Sequence, residues 1–231
     1  MPDHDEVYES KAEQYERLIS REDYMTKIPQ TLRNICTFEG NDIIDLGAGT
    51  GRLTCLFAPI ARSMIAFDLS EHMLEVTAEK LRSTGLNNWK TIVADHRSLP
   101  VEDSCADITM AGWSICYIAS SNVPDWLDNI RKVISEMKRV TRPGGHLIIL
   151  ETLGTGNETP QPPGFLQCYY NTLKNEYDFS HTSIRTDYKF ESIEEAEELT
   201  RFFFGDELAN RVEKQRQVIV PECTGIWWLR V

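Results

Sequence analysis

The residues of this chain that could do chemistry sit in short acidic and glycine-rich stretches, each placed just after an apolar run. Asp45 leads into Gly47, Gly49 and Gly51 in the stretch Asp-Leu-Gly-Ala-Gly-Thr-Gly. Glycine at alternate positions lets the backbone take positive φ and lets a ligand approach the main chain without intervening Cβ atoms. A carboxylate two residues ahead of the first glycine suits a ligand that carries an amino group rather than a pyrophosphate. A dinucleotide fingerprint would need glycine where this chain has Arg52, and the Gly-Lys-Ser/Thr ending of a phosphate loop is absent. Two more acids close later apolar runs: Asp68 after residues 64–67 and Asp95 after residues 91–94. A carboxylate such as Asp68 can accept hydrogen bonds from both hydroxyls of a ribose, and its distance from Gly51 is close to the ~20 residues expected across one βαβ unit. Ser70 supplies the helix N-cap that follows, which leaves Asp68 free for a ligand.

Candidates for moving a proton are His181, Glu151 and Tyr117. Of these His181 has the most suitable solution pKa, ~6.5. The six cysteines, Cys36, Cys55, Cys105, Cys116, Cys168 and Cys223, are scattered without a Cys-x-x-Cys pair. They read as free thiols in a reducing compartment, with neither a disulfide framework nor a zinc site, and no other pattern points to a metal.

These residues need a scaffold, and the apolar periodicity supplies one. Residues 43–46 read as a strand, the glycine turn follows, and Leu53, Leu56 and Phe57 begin a helix that ends near Pro59. Residues 64–67 form a second strand, 71–82 a helix closed by Gly85, 91–94 a third strand and 106–111 a fourth. Trp126, Ile130, Val133, Met137 and Val140 repeat at helical spacing across 124–142, a stripe read as core. The turn Arg142-Pro-Gly-Gly145 then leads into a fifth strand at 146–150. Strands alternating with helices imply a parallel sheet with right-handed crossovers and ligands outside the carboxyl ends of its strands. Asp45, Asp68, Asp95 and the 111–114 loop all fall on that edge.

The flanks are less regular. Tyr8, Ala12, Tyr15 and Ile19 make a helical stripe, and residues 25–38 form a second helical segment interrupted or begun at Pro29. Residues 154–164 are loop-like. A helix over 165–177 carries Tyr169, Tyr170 and Tyr177, and 183–190 alternates as a strand. Ser192-x-x-Glu195 opens a further helix as a capping box, bringing Leu199 and Phe202-Phe203-Phe204. Residues 218–220 and 226–229 read as the last two strands, joined through Pro221 to Gly225.

The Asp45–Gly51 motif resembles motif I of the class I S-adenosylmethionine-dependent methyltransferases, with the methyltransferase 11 or UbiE-like small-molecule branch nearest. The segment Val-Thr-Arg-Pro-Gly-Gly-His-Leu-Ile-Ile at 140–149 and the Tyr8/Ala12/Tyr15 phrase are similar to that family as well. The resemblance implies an α/β, Rossmann-like, mostly parallel seven-stranded sheet with helices on both faces, an antiparallel last strand, and a helical and strand cap inserted after the fifth strand. It divides the chain into an N-terminal helical segment over the cofactor (1–40), a cofactor-binding core (41–153), an acceptor cap (154–215) and terminal strands completing the core sheet (216–231).

By the same resemblance the cofactor is S-adenosylmethionine, released as S-adenosylhomocysteine. Asp45, Gly47, Ala48, Gly49, Thr50 and Gly51 would lie against its methionyl part and ribose, with Tyr15 above. Asp68 and Leu69 would flank the ribose, and Met73 the adenine face unless it is a core methionine. Asp95, with His96 beside it, would meet the adenine amino group; a surface loop acid is the alternative. Ala111, Gly112 and Trp113 would flank the transferable methyl, and Tyr117 would point to the acceptor. The implied reaction is methylation of a small-molecule O, N or C nucleophile. Open alternatives are a non-catalytic S-adenosylmethionine-binding partner or sensor, and a methyltransferase acting on tRNA or protein. The formal charge of −12 argues against a nucleic-acid partner, which needs clustered Lys and Arg. No run approaches the ~20 apolar residues of a membrane span, and the acidic N-terminus lacks the basic and apolar parts of a signal peptide. A cytoplasmic protein is the expectation.

Overall fold

The computed structural model describes residues 11–231, so Tyr8 lies outside the described residues. Two short helices come first, α1 (Ala12–Ile19) and α2 (Lys27–Ile35). Pro29 falls in the first turn of α2, where its missing N–H breaks no helical bond. The Asp23 carboxylate accepts from the N–H groups of Lys27 and Ile28 at 2.7 and 2.9 Å and starts that helix.

The core then alternates as expected: β1 (Asp42–Leu46), α3 (Arg52–Phe57), β2 (Ser63–Asp68), α4 (Glu71–Ser83), β3 (Trp89–Val93) and β4 (Ala106–Gly112). A single-turn α5 (Cys116–Ala119) and the long α6 (Trp126–Val140) lead into β5 (Thr141–Thr155). Beyond it come α7 (Gln167–Asn175), β6 (Ser180–Arg185), β7 (Tyr188–Lys189), α8 (Ile193–Phe204), α9 (Asp206–Gln215), β8 (Ile219–Val220) and β9 (Glu222–Arg230).

Seven strands pair in the order β3-β2-β1-β4-β5-β9-β6. The first five are mutually parallel, and β9 runs antiparallel between β5 and β6. The order reverses between β1 and β4, which opens a crevice at their carboxyl ends. Because side chains alternate across a strand, β1 feeds both faces. Ile44 and Leu46 join Ile130, Val133 and Met137 of α6, whereas Ile43 joins Ile28, Leu32, Phe38 and Phe57. Burial on both faces is what a near-continuous apolar strand such as β1 requires.

The flanks differ from the expected boundaries. Residues 180–185, read from the sequence as part of the cap, form the edge strand of the main sheet. Residues 219–220, read as completing that sheet, pair instead with β7 in a separate two-stranded ribbon. Pro221 explains the break, since it has no N–H to continue a ladder from β8 into β9. The ribbon, α8 and α9 share a small core with α1 through Leu18, Tyr188, Phe190, Leu199, Leu208 and Val212. Ion pairs from Arg17 to Glu198 at 3.1 Å and from Arg21 to Glu195 at 2.7 Å fasten the same junction. The N-terminal helix and the 188–220 region are therefore one lid built from two distant stretches of chain.

Candidate active site

The crevice at the strand tips deepens, under that lid, into a cavity of about 1100 Å³. Its floor is the glycine turn. Gly47 has φ +65°, and a Cβ there would lie 2.3 Å from Ser114 Cβ, so both conformation and packing demand glycine. Gly49 has φ +54°, but its Cβ position meets nothing closer than Tyr15 at 4.0 Å and opens toward the cavity. The turn is held from behind by α4: the Thr77 hydroxyl donates to the Gly49 carbonyl at 2.7 Å and Lys80 Nζ to the Thr50 carbonyl at 2.9 Å.

All three expected acids line this cavity. Asp45 is buried and accepts the Thr54 hydroxyl at 2.6 Å; burial, with Asp68 nearby, pushes its carboxyl up to about 7. Asp68 accepts the Gly49 N–H on Oδ2 and the Ser70 N–H on Oδ1, both at 2.8 Å. Each carboxylate oxygen can accept two hydrogen bonds, so both retain capacity for a ligand. Asp95 is clamped by its neighbour Arg97, whose Nε lies 2.9 Å from Oδ1, and this ion pair holds the carboxyl below its ordinary range. His96 is buried on the same wall, and burial lowers its imidazole pKa.

Other residues named from the sequence also reach the wall: Tyr15, Ala48, Thr50, Leu69, Gly112, Trp113 and Tyr117. Leu69 is 63% exposed, a large apolar side chain left open at the cavity. Trp113 has φ +50° and donates its N–H to the Leu150 carbonyl at 2.7 Å.

Five expected positions do not reach it. Gly51 is absent from the wall, because it abuts Thr77 of α4. Met73 and Ala111 are buried away from the cavity: Met73 lies on the inward face of α4, and Ala111 packs in the core around α6. Glu151 lies behind the wall within β5, where its Oε1 accepts the Cys116 N–H at 3.0 Å and the Tyr169 hydroxyl at 3.3 Å. Burial pushes that carboxyl up to about 8, and the residue is off the cavity wall. His181 is on the edge strand β6, stacked against Trp227 with ring centroids 4.6 Å apart, and is likewise off the wall.

A second group on the wall was not anticipated. The Arg52 guanidinium lies 4.0 Å above the Trp113 ring and donates to Glu22 at 2.6 Å. Glu22 also accepts from the Thr186 hydroxyl at 3.0 Å and from Tyr188. Glu222, nearly inaccessible to solvent, accepts the Thr152 hydroxyl at 2.8 Å. Burial and the nearby Glu22 raise the Glu222 carboxyl pKa. These residues come from α3, the 20–26 loop, β7, β5 and β9, too far apart in the chain for any spacing rule to join them. The only signal was Arg52, standing where a dinucleotide fold has glycine. Among the described residues no group of His, Cys, Asp and Glu could hold a metal, and no helix is long and apolar enough to cross a membrane.

Residues 44–149 match the family described as Methyltransferase domain. The demethylmenaquinone methyltransferase of Geobacillus stearothermophilus is 31% identical over 170 residues, covering 71% of this chain and 67% of the relative. That of Bacillus subtilis strain 168 is 29% identical over 174 residues, covering 73% and 69%. Among solved structures, the YcgJ protein of Bacillus subtilis superposes with a TM-score of 0.61 at 14% identity, over 89% of this chain and 97% of that one. A SAM-dependent methyltransferase from Aquifex aeolicus gives 0.57 at 16% identity, over 88% and 89%. At those identities the structures speak to the fold, and the sequence relatives carry the activity. The chain belongs to the class I S-adenosylmethionine-dependent methyltransferases, enzymes that use S-adenosylmethionine to methylate small molecules.

Proposed function

We propose that the cavity is the methyl-transfer site, with the cofactor along the tips of β1, β2 and β3 and the small-molecule acceptor between Trp113, Tyr117 and the lid. The carrying observation is that Asp45, Asp68 and Asp95, from three separate strand ends, line one cavity together with the glycine turn. The residues fit the cofactor. Gly49 leaves its Cβ position open, Asp68 keeps unused lone pairs, and the buried Thr50 hydroxyl makes no hydrogen bond among the described residues. Asp68 would take the ribose hydroxyls, Leu69 and Asp95 would flank the adenine with His96 behind, and Asp45 would answer the amino group. Tyr15, whose ring lies 5.4 Å from that of Phe203, closes the site from the lid.

When bound, S-adenosylmethionine supplies a methyl group already activated by a positive sulfonium. The protein's task is alignment and exclusion of water, and Trp113, Tyr117, Phe203 and Phe204 supply apolar wall for both. In this reading the described part of the N-terminal segment, residues 11–40, helps cover the cofactor, residues 41–153 bind it, and the lid part of 154–215 shapes the acceptor side. Acidic side chains outnumber Arg52 on the wall, which favours a small molecule over a nucleic acid as acceptor. Calorimetry with S-adenosylhomocysteine tests the assignment. Asp68→Ala is expected to weaken binding by about 1–3 kcal/mol, the scale of a hydrogen bond to a charged group. An unchanged affinity removes Asp68 from the site, and no binding by the parent protein removes the site itself.

A further inference from the structure

Two polar atoms on the acceptor side stand without partners. Arg52 spends Nη1 on Glu22, and its Nη2 is buried with no hydrogen bond among the described residues. Glu222 spends Oε1 on Thr152, and its Oε2 is likewise buried and unbonded. Both side chains line the cavity, and they lie near enough to interact electrostatically. A buried donor and a buried acceptor left unmade in one wall are each costly, so a fold that keeps both needs a reason. The local architecture holds them there. A register shift in β5 between Thr152 and Thr155 brings both of those residues alongside Glu222, the first residue of β9. Arg52 is pinned from two directions, by Glu22 and by the face of Trp113.

We propose that Arg52 Nη2 and Glu222 Oε2 form the recognition pair for the methyl acceptor, a flat aromatic or enolic molecule with a hydroxyl next to a second oxygen. This rests on the reading of the cavity as the methyl-transfer site. The hydroxyl donates to Glu222 Oε2, the neighbouring oxygen accepts from Arg52 Nη2, and the ring lies among the aromatic side chains Trp113, Tyr188 and Phe203. A donor and an acceptor on adjacent atoms satisfy both orphans at once, which a lone amine or an isolated carbonyl does not. On turnover the hydroxyl proton passes to Glu222 Oε2, and the O–H bonding pair stays on the oxygen that takes the methyl. The step starts from ionised Glu222, whose burial favours taking up the proton, and that proton leaves to solvent before the next turnover.

The test measures binding of catechol, phenol and 1,2-dimethoxybenzene to the protein saturated with S-adenosylhomocysteine, by saturation-transfer NMR. Catechol is expected to bind best, with phenol weaker by about tenfold for the lost contact to Arg52 and 1,2-dimethoxybenzene weaker again. Arg52→Lys keeps a positive charge beside Glu22 but lacks Nη2, and brings catechol down to the level of phenol. Glu222→Leu lowers catechol and phenol together, and Glu222→Gln, which retains an acceptor oxygen, recovers part of the loss. Affinity for S-adenosylhomocysteine, measured alongside, stays unchanged in all three variants and reports that they are folded. Equal binding of the three probes, no binding of catechol, or catechol and phenol affinities that are unchanged in Glu222→Leu overturns the proposal. Failure of the parent protein to bind S-adenosylhomocysteine overturns the underlying site assignment instead.

Discussion

Asp45 makes a pH-dependent prediction whose sign can be worked out from its surroundings. Its carboxyl is buried at the end of β1, bonded to the Thr54 hydroxyl and close to Asp68, and burial pushes it up to about 7. In the unfolded chain the same group titrates near ~3.9. Between those two values the folded state binds the extra proton, so stability falls as pH rises through this window and is level above it. Three pH units correspond to an upper bound of roughly 4 kcal/mol. Relaxation and water in the cavity reduce this, and about 2 kcal/mol is the working expectation. Asp45→Asn keeps the shape and an acceptor for Thr54 but has no charge to bury. The variant should therefore be more stable than the parent at pH 8, by about 4–8 °C in melting temperature for a chain of this size, and indistinguishable from it near pH 4. Glu151 and Glu222 carry raised carboxyls too, but they are present in both proteins and cancel in the difference. The same substitution should weaken S-adenosylhomocysteine, because the carboxylate proposed to meet its amino group is gone. Thermal unfolding of both proteins from pH 4 to pH 8 is the assay. A difference that is flat with pH, or an Asn variant less stable at pH 8, would refute the reasoning.

Gly47→Ala forces a Cβ to 2.3 Å from Ser114 Cβ at φ +65°. It should lower stability by about 2–4 kcal/mol in chemical denaturation, combining left-handed strain with overpacking, and abolish S-adenosylhomocysteine binding; a mild effect on both would show that the turn is not the floor of the site. His181→Ala, on the far edge strand, should leave both S-adenosylhomocysteine affinity and kcat with any acceptor unchanged, whereas a large fall in kcat alone would return His181 to the chemistry.

Much of the core was legible because its signals are local. Apolar runs buried on both faces marked β1, β2 and β4, and the alternation of strand and helix implied the parallel sheet and the edge where Asp45, Asp68 and Asp95 meet. Ser70 and Ser192 cap their helices as read, through the N–H groups of Met73 and Glu195. Positions whose role depends on which way a side chain leaves its backbone were less legible. Met73 and Ala111 sit next to the site in sequence, but helix phase and strand alternation turn them into the core. Glu151 has the right chemistry, but β5 runs on past it to Thr155 and its side chain faces Cys116 and Tyr169 instead of the cavity.

The sequence alone determined the fold class, the glycine turn and the carboxylates at the strand tips, because each depends on periodicity or spacing within about one βαβ unit, and the cofactor followed from the resemblance of that turn to a known family. Only the tertiary structure decided the wall proposed to meet the acceptor. Glu22, Arg52, Tyr188 and Glu222 are brought to one wall by the lid closing over β1 and by β9 inserting between β5 and β6. Contacts between residues up to 200 positions apart leave no periodic trace in the chain, since they exist only once packing and long-range strand pairing have been made.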